Sequence, residues 1–220
     1  METKTFDNGS RIYIDSEAII YPSVTTIRSM TSPKAEQDRL RRWQHKLDKV
    51  HGVGVAVKER DLRASEGKQA HKDIEDYFNG HGDFPDSEYT RSAGNLLRFF
   101  RSQVIASELP VHYPHPNGYA GTLDLLIPFE DQLTVFDFVT SRRPKREEWL
   151  ENKFLQATAY SLAYGVNSGE YPSQVGAIVL SPSNFQIFTK PMSEFEPMWW
   201  SRVRQFYEEE MWKELGLDLG

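Results

Sequence analysis

Gly118-Tyr-Ala-Gly-Thr-Leu-Asp124, Val135-Phe-Asp137-Phe-Val-Thr-Ser141 and Gln156-Ala-Thr-Ala-Tyr160 decide the reading of this chain. The first two fall in strand-like runs, Tyr119–Phe129 and Leu133–Val139, joined by the tight turn Glu130-Asp131-Gln132. That turn makes the strands neighbours. Asp124 lies within the first run and Asp137 near the end of the second, so both carboxylates meet at one edge of a sheet. Each follows apolar residues, and aspartate is disfavoured in strand interiors. Buried carboxylates this close repel each other unless a cation sits between them. Mg²⁺ suits that role, because it takes hard oxygen ligands and is usually held by one or two carboxylates plus substrate phosphate.

Outward from this centre, the sequence predicts strands at Ser107–Tyr113, Val175–Leu180 and Gln186–Thr189, and a long helix over 145–165. Upstream, Arg11–Asp15 and Glu17–Tyr21 read as a hairpin. Helices are expected over 33–50, 58–79 and 87–106, the first with Ser32 as its cap and Pro33 at its first position. A last helix is expected over 193–215. No repeat or linker interrupts the pattern. We expect one α/β domain over 1–220: a mainly helical section over 21–106, a sheet core over 107–190 and a C-terminal helical segment over 191–220.

The bulk composition narrows the chemistry. The chain has 220 residues and no cysteine, which excludes disulfides, thiolate zinc sites, iron–sulfur clusters and cysteine nucleophiles. No apolar run approaches the ~20 residues of a membrane helix, and the start lacks a signal-peptide layout. A soluble protein of a bacterial or phage-infected cytoplasm is expected, in preference to a mitochondrial one, with no membrane partner. Net charge is −6, yet residues 34–72 hold eleven Lys/Arg against six Asp/Glu, and residues 73–137 hold three against eleven. An acidic centre flanked by basic segments suits a site that holds divalent cations and grips a polyanion.

Two further groups are candidates for the acidic centre. His71 lies on the helix Glu66-Gly-Lys-Gln-Ala-His71, with Gly67 one turn earlier leaving room for close approach, and Glu108 opens the first central strand. Taken singly, each has a plain structural account: a hydrogen-bonded histidine, a solvated glutamate, an aspartate capping a turn. The joint pattern is far more specific.

Gly-x-x-Gly-x-x-Asp124, Asp137 thirteen residues on, Thr140-Ser141 and Gln156-x-x-x-Tyr160 resemble the core of RecB-type nucleases of the PD-(D/E)XK superfamily, the group that includes mitochondrial and phage-encoded exonucleases. Gly67-x-x-x-His71-x-x-Ile-Glu75 and Pro22-Ser-Val-Thr-Thr-Ile27 resemble the same group. The resemblance spans roughly residues 21–165. It implies a restriction-endonuclease-like core, a central mixed sheet flanked by helices. It implies that His71, Asp124, Asp137 and the carbonyl of Phe138 ligate Mg²⁺ or Mn²⁺, with Glu108 contributing through water. Gln156 and Tyr160, one helical turn apart, would order the site near the scissile phosphate. Ser23, Thr25 and Thr26 would contact phosphate.

One position departs from the family pattern. Asp-x-Lys is expected, and the chain reads Asp137-Phe138-Val139. Three readings are open: another cation (Lys145, Arg142, Arg143 or Lys68) substitutes, cleavage has been lost while binding persists, or the chain has been altered to trap substrate. For grip, Arg39, Arg42, Lys46 and Lys49 form one stripe of a predicted helix with Trp43 beside it, a pattern suited to phosphates and stacked bases. Arg142, Arg143 and Lys145 follow the second aspartate strand directly. The expected function is a metal-dependent exonuclease acting on DNA that is single-stranded or has free ends, in recombination, repair or degradation, with no nucleotide cofactor. The alternative is a catalytically impaired DNA-end-binding protein of the same fold.

Overall fold

The computed structural model describes residues 1–84 and 86–217. Its strands are β1 (Glu2–Thr5), β2 (Arg11–Ile14), β3 (Ile20–Pro22), β4 (Ala106–Tyr113), β5 (Tyr119–Phe129), β6 (Gln132–Thr140), β7 (Gln174–Leu180) and β8 (Phe185–Pro191). Its α-helices are α1 (Val24–Met30), α2 (Lys34–His51), α3 (Val55–Phe78), α4 (Gly94–Arg101), α5 (Glu151–Ser168) and α6 (Glu196–Glu208). Glu130 and Asp131 both take left-handed backbone angles, φ 50° and 61°, which is what a two-residue turn between twisted strands requires. That hairpin seeds a five-stranded mixed sheet in the order β4-β5-β6-β7-β8. All neighbours are antiparallel except β6 and β7, which run parallel because α5 carries the chain across between them.

Strand alternation sorts the core into two layers. Val135 and Val139 of β6 pack with Ile27 of α1, Leu155 of α5 and Trp199 and Phe206 of α6. Phe136 and Phe138 pack on the opposite face with Ile74 and Phe78 of α3 and Leu97 and Phe100 of α4. Asp137 stands between Val135 and Val139 in the period-two alternation, so its side chain faces the α5 layer. The α/β expectation and the central mixed sheet between helices therefore hold.

Several boundaries differ from the sequence expectation. Ser32 does not cap α2. Pro33 occupies the cap position, and the Ser32 hydroxyl donates to the Glu36 carboxylate instead. The helix expected over 87–106 shrinks to α4 with a 3₁₀ turn before it, because Ser87 and Thr90 tie residues 87–90 into a hydrogen-bonded turn. The helix expected from 145 starts at Glu151. Lys145 is instead held as an extended segment, both its backbone groups bonded to the Gln186 side chain on β8. The C-terminal helix ends at Glu208, with a separate 3₁₀ turn at Met211–Leu215. Residues 218–220 of the expected terminal section lie outside the described residues. α1 and β1 add to the expected elements, and β1, β2 and β3 form a small antiparallel sheet beside the main one. α2 has no buried residue among those described and packs on α3 as a helical hairpin.

Candidate metal centre and active site

The register of the sheet brings three carboxylates into one row. Ser107 pairs with Leu125 and Leu109 with Leu123, so Glu108 of β4 stands opposite Asp124 of β5. Leu125 pairs with Phe136, so the next position opposes Asp124 to Asp137 of β6. Regular pairing is interrupted at this row: the β5–β6 ladder ends at Leu125, and Glu108 takes a positive φ of 50° inside its strand. A non-glycine residue in that region is held there by its surroundings, and such residues cluster at functional sites.

Three acidic groups at one level repel one another. Burial first, and then the charges of Asp124, Glu75 and Asp137, push the Glu108 carboxyl up to about 8. Burial and Asp137 also raise Asp124, against the lowering effects of His71 and Lys153. Asp137 is 1% exposed. Neither of its oxygens accepts a properly angled hydrogen bond among the described residues, although the ammonium of Lys153 lies 2.6 Å from Oδ2. A buried carboxylate with unmet acceptor capacity is costly, and a cation relieves it.

His71 completes the donor set. Its Nε2 lies 3.1 Å from the Phe138 carbonyl oxygen, which makes that nitrogen the donor and fixes the ring. Its Nδ1 then faces Asp124 Oδ2 at 3.4 Å, while the other contact of that oxygen is the Phe138 amide, which donates to it at 2.9 Å. Ligand atoms of His71, Glu108 and Asp124 all lie within 4.8 Å of one another and could hold a metal ion. One imidazole and hard carboxylate oxygens fit a divalent cation that prefers oxygen ligands.

Two glycines let the walls close on this centre. A Cβ at Gly67 would stand 2.9 Å from Thr140 Oγ1, and one at Gly121 would stand 2.4 Å from the Tyr160 ring. α3 thus lies tight against the end of β6, and Tyr160 lies on β5. Gln156 donates to the Tyr160 hydroxyl at 3.2 Å. Burial, Asp124 and Asp137 hold the Tyr160 hydroxyl well above its ordinary range, so it stays protonated. The cleft enclosed is about 580 Å³. Its lining joins the acidic row to Arg11 of β2 and to Arg63, Lys68 and Lys72 of α3.

The chain is similar to animal proteins named as mitochondrial exonucleases. The mitochondrial genome maintenance exonuclease 1 of Mus musculus is 27% identical over 206 residues, covering 86% of this chain and 60% of that protein. The protein of the same name from Xenopus tropicalis is 27% identical over 147 residues, 63% of this chain and 42% of its own length. The chain thus spans about half the length of these relatives. No protein-family model matches it.

Of the residues singled out by sequence, Ser23, Thr25, His71, Glu108, Asp124, Asp137, Phe138, Gln156 and Tyr160 line the cleft together. Thr26 does not. It is buried, and its hydroxyl bridges the backbone amide and carbonyl of Arg11, tying α1 to β2. Arg39, Arg42, Trp43 and Lys46 are exposed on α2, outside the cleft lining. Arg142 pairs with Glu66 at 3.3 Å, Arg143 is exposed, and Lys145 is held against β8; none of the three lines the cleft. The cation that reaches Asp137 is Lys153, which sequence reasoning missed. The signal was available: Lys153, Gln156 and Tyr160 fall on one helical face at spacings of three and seven. Val139, two residues after Asp137, is 9% exposed and belongs to the core.

Proposed function

We propose that this chain is a metal-dependent DNA exonuclease with a PD-(D/E)XK-type site in a single domain, in which Lys153 takes the place of the strand lysine. The observation that carries the reading is the Glu108–Asp124–Asp137 row, with His71 beside Asp124 and Lys153 at the Asp137 end. The 27% identity to two proteins named as exonucleases supports the same activity. His71, Asp124, Asp137 and the Phe138 carbonyl would hold Mg²⁺ or Mn²⁺, with Glu108 assisting through water. Such an ion supplies Lewis acidity and lowers the pKa of water at the site.

The chain's own residues do the remainder. Lys153 pairs with Asp137 and offers an ammonium to the phosphate. Tyr160, kept protonated, donates to a substrate oxygen. Ser23, Thr25 and Arg11 line the cleft, as do Lys68 and Lys72 of α3. Cations beside an acidic row in one cleft favour a single strand, with one of its phosphates at the carboxylates. Arg39, Arg42, Trp43 and Lys46, with Arg142, Arg143 and Lys145, would contact DNA outside the cleft. Thr26 supports the wall from behind. The substrate is DNA, single-stranded or with free ends, and no step calls on a nucleotide cofactor. Recombination, repair or DNA degradation are the settings that use this chemistry. Val139 alone favours a binding protein without cleavage, and the reach of Lys153 to Asp137 weighs against that reading.

The test is incubation of end-labelled linear and of circular single-stranded DNA with Mg²⁺, with Mn²⁺ and with chelator. Metal-dependent loss of the linear substrate with the circle spared supports an exonuclease. No metal-dependent cleavage of either contradicts the proposal.

A further inference from the structure

Arg28 of α1 points its guanidinium at α5. Its Nη1 donates to the Asn152 carbonyl at 3.1 Å and to the Gln156 side-chain oxygen at 3.1 Å. A guanidinium has donors only, so the oxygen of the Gln156 amide must face Arg28. The amide nitrogen then faces Tyr160, and that nitrogen can only donate, so the Tyr160 oxygen accepts. The proton of Tyr160 is left to point elsewhere. No acceptor for it is recorded among the described residues, and Tyr160 lines the cleft with Asp124 and Asp137.

We infer that Arg28 is a positioning residue that sets the polarity of the Arg28–Gln156–Tyr160 chain, so that Tyr160 presents a proton, and not a lone pair, to a phosphate oxygen in the cleft. The inference rests on the nuclease reading and extends it to a residue outside the cleft lining. Without Arg28 no other recorded contact among the described residues holds the amide oxygen. Gln156 is free to turn its oxygen to Tyr160 and take up the proton that the substrate needs. Burial keeps the Tyr160 hydroxyl from ionising, so it retains the proton that it presents.

The experiment is a double-mutant cycle on single-stranded DNA cleavage with Arg28→Met, Tyr160→Phe and the pair. Arg28→Lys, which keeps a donor, is the conservative variant. Thermal unfolding separates lost folding from lost positioning. Loss of a preorganised donor costs on the order of 10²-fold. Arg28→Met should lower kcat by roughly 10- to 100-fold with little change in KM, and Arg28→Lys should restore most of it. In the Tyr160→Phe background, Arg28→Met should change kcat by less than about twofold, because the hydroxyl through which it acts is gone. Independent, multiplicative losses, or full activity in folded Arg28→Met, overturn the inference. If the unaltered chain binds a labelled oligonucleotide in Ca²⁺ without cutting it in Mg²⁺, the nuclease reading fails, and the same cycle read in Kd decides this inference. Absence of both binding and cleavage overturns both.

Discussion

Lys153 places its ammonium 2.6 Å from Oδ2 of Asp137, although the two residues lie on different elements, a helix and a strand. Val139, two residues further along the strand, lies on the same face as Asp137 and packs with α5. The side chains of Asp137 and of the α5 face meet because β6 alternates with period two and α5 lies on its Val135–Asp137–Val139 side. A cation delivered from the helix therefore reaches the carboxylate without a gap in the core.

Asp124→Asn removes one charge from the row. Repulsion among Glu108, Asp124 and Asp137 falls, so the chelator-treated variant should unfold at a temperature equal to or a few degrees above the parent, since about 1 kcal/mol moves Tm by ~2–4 °C at this size. Metal stabilisation should vanish. Thermal unfolding with and without Mn²⁺ reads both effects, and an unchanged Mn²⁺ shift would refute the ligand assignment.

The raised carboxyl groups predict a pH dependence of the metal-free protein. Folding lifts Glu108 to about 8 and raises Asp124, so the fold favours their neutral forms. That contribution is full below the ordinary carboxylate range and is lost as pH climbs toward about 8. In chelator, Tm should fall between pH 5 and pH ~8.5. Stabilisation by Mn²⁺ should grow over the same window, because binding displaces those protons. A metal effect independent of pH would count against carboxylate ligation.

Gly121→Ala puts a methyl group where the Tyr160 ring lies. Overpacking of this kind costs about 1–3 kcal/mol, and the ring must move from the cleft wall. Cleavage should drop more than tenfold in protein that is still folded, since misplacement of a positioned group can cost ~10²-fold. Unaltered cleavage kinetics would show that the position of Tyr160 does not matter.

The cations of α2 lie away from the row, so they should act on binding and not on chemistry. Replacing Arg39, Arg42 and Lys46 by alanine should raise KM, leave kcat within about threefold, and reduce the slope of log K against log salt by about 2, as three contacts at ~0.7 each imply. A fall in kcat with no change in salt slope would place these residues in a different role.

Much of this was legible in sequence. Asp124 and Asp137 announced themselves by standing where strands disfavour aspartate, and the tight turn between their strands fixed the register that opposes them. Gly67 and His71 lay on a segment expected to be helical, one turn apart. α1 was not legible, because Val24-Thr25-Thr26-Ile27 is rich in β-branched residues and only the Ser23 hydroxyl, which accepts from the Thr26 amide, turns it into a helix. β1 is exposed along its whole length and carries no burial period. Lys153 belongs to no motif, and its role depends on how α5 lies across β6, which tertiary packing alone decides. Arg28 is invisible for the same reason, since its partner is 128 residues away.

Cleavage of end-labelled single-stranded DNA by Lys153→Met, beside the Lys153→Met/Val139→Lys pair, tests the central claim most directly. The account predicts metal-dependent cleavage by the unaltered chain, a loss of about 10²–10⁴-fold on removing the ammonium, and partial recovery when a lysine is placed on the strand. Full activity in Lys153→Met would contradict it.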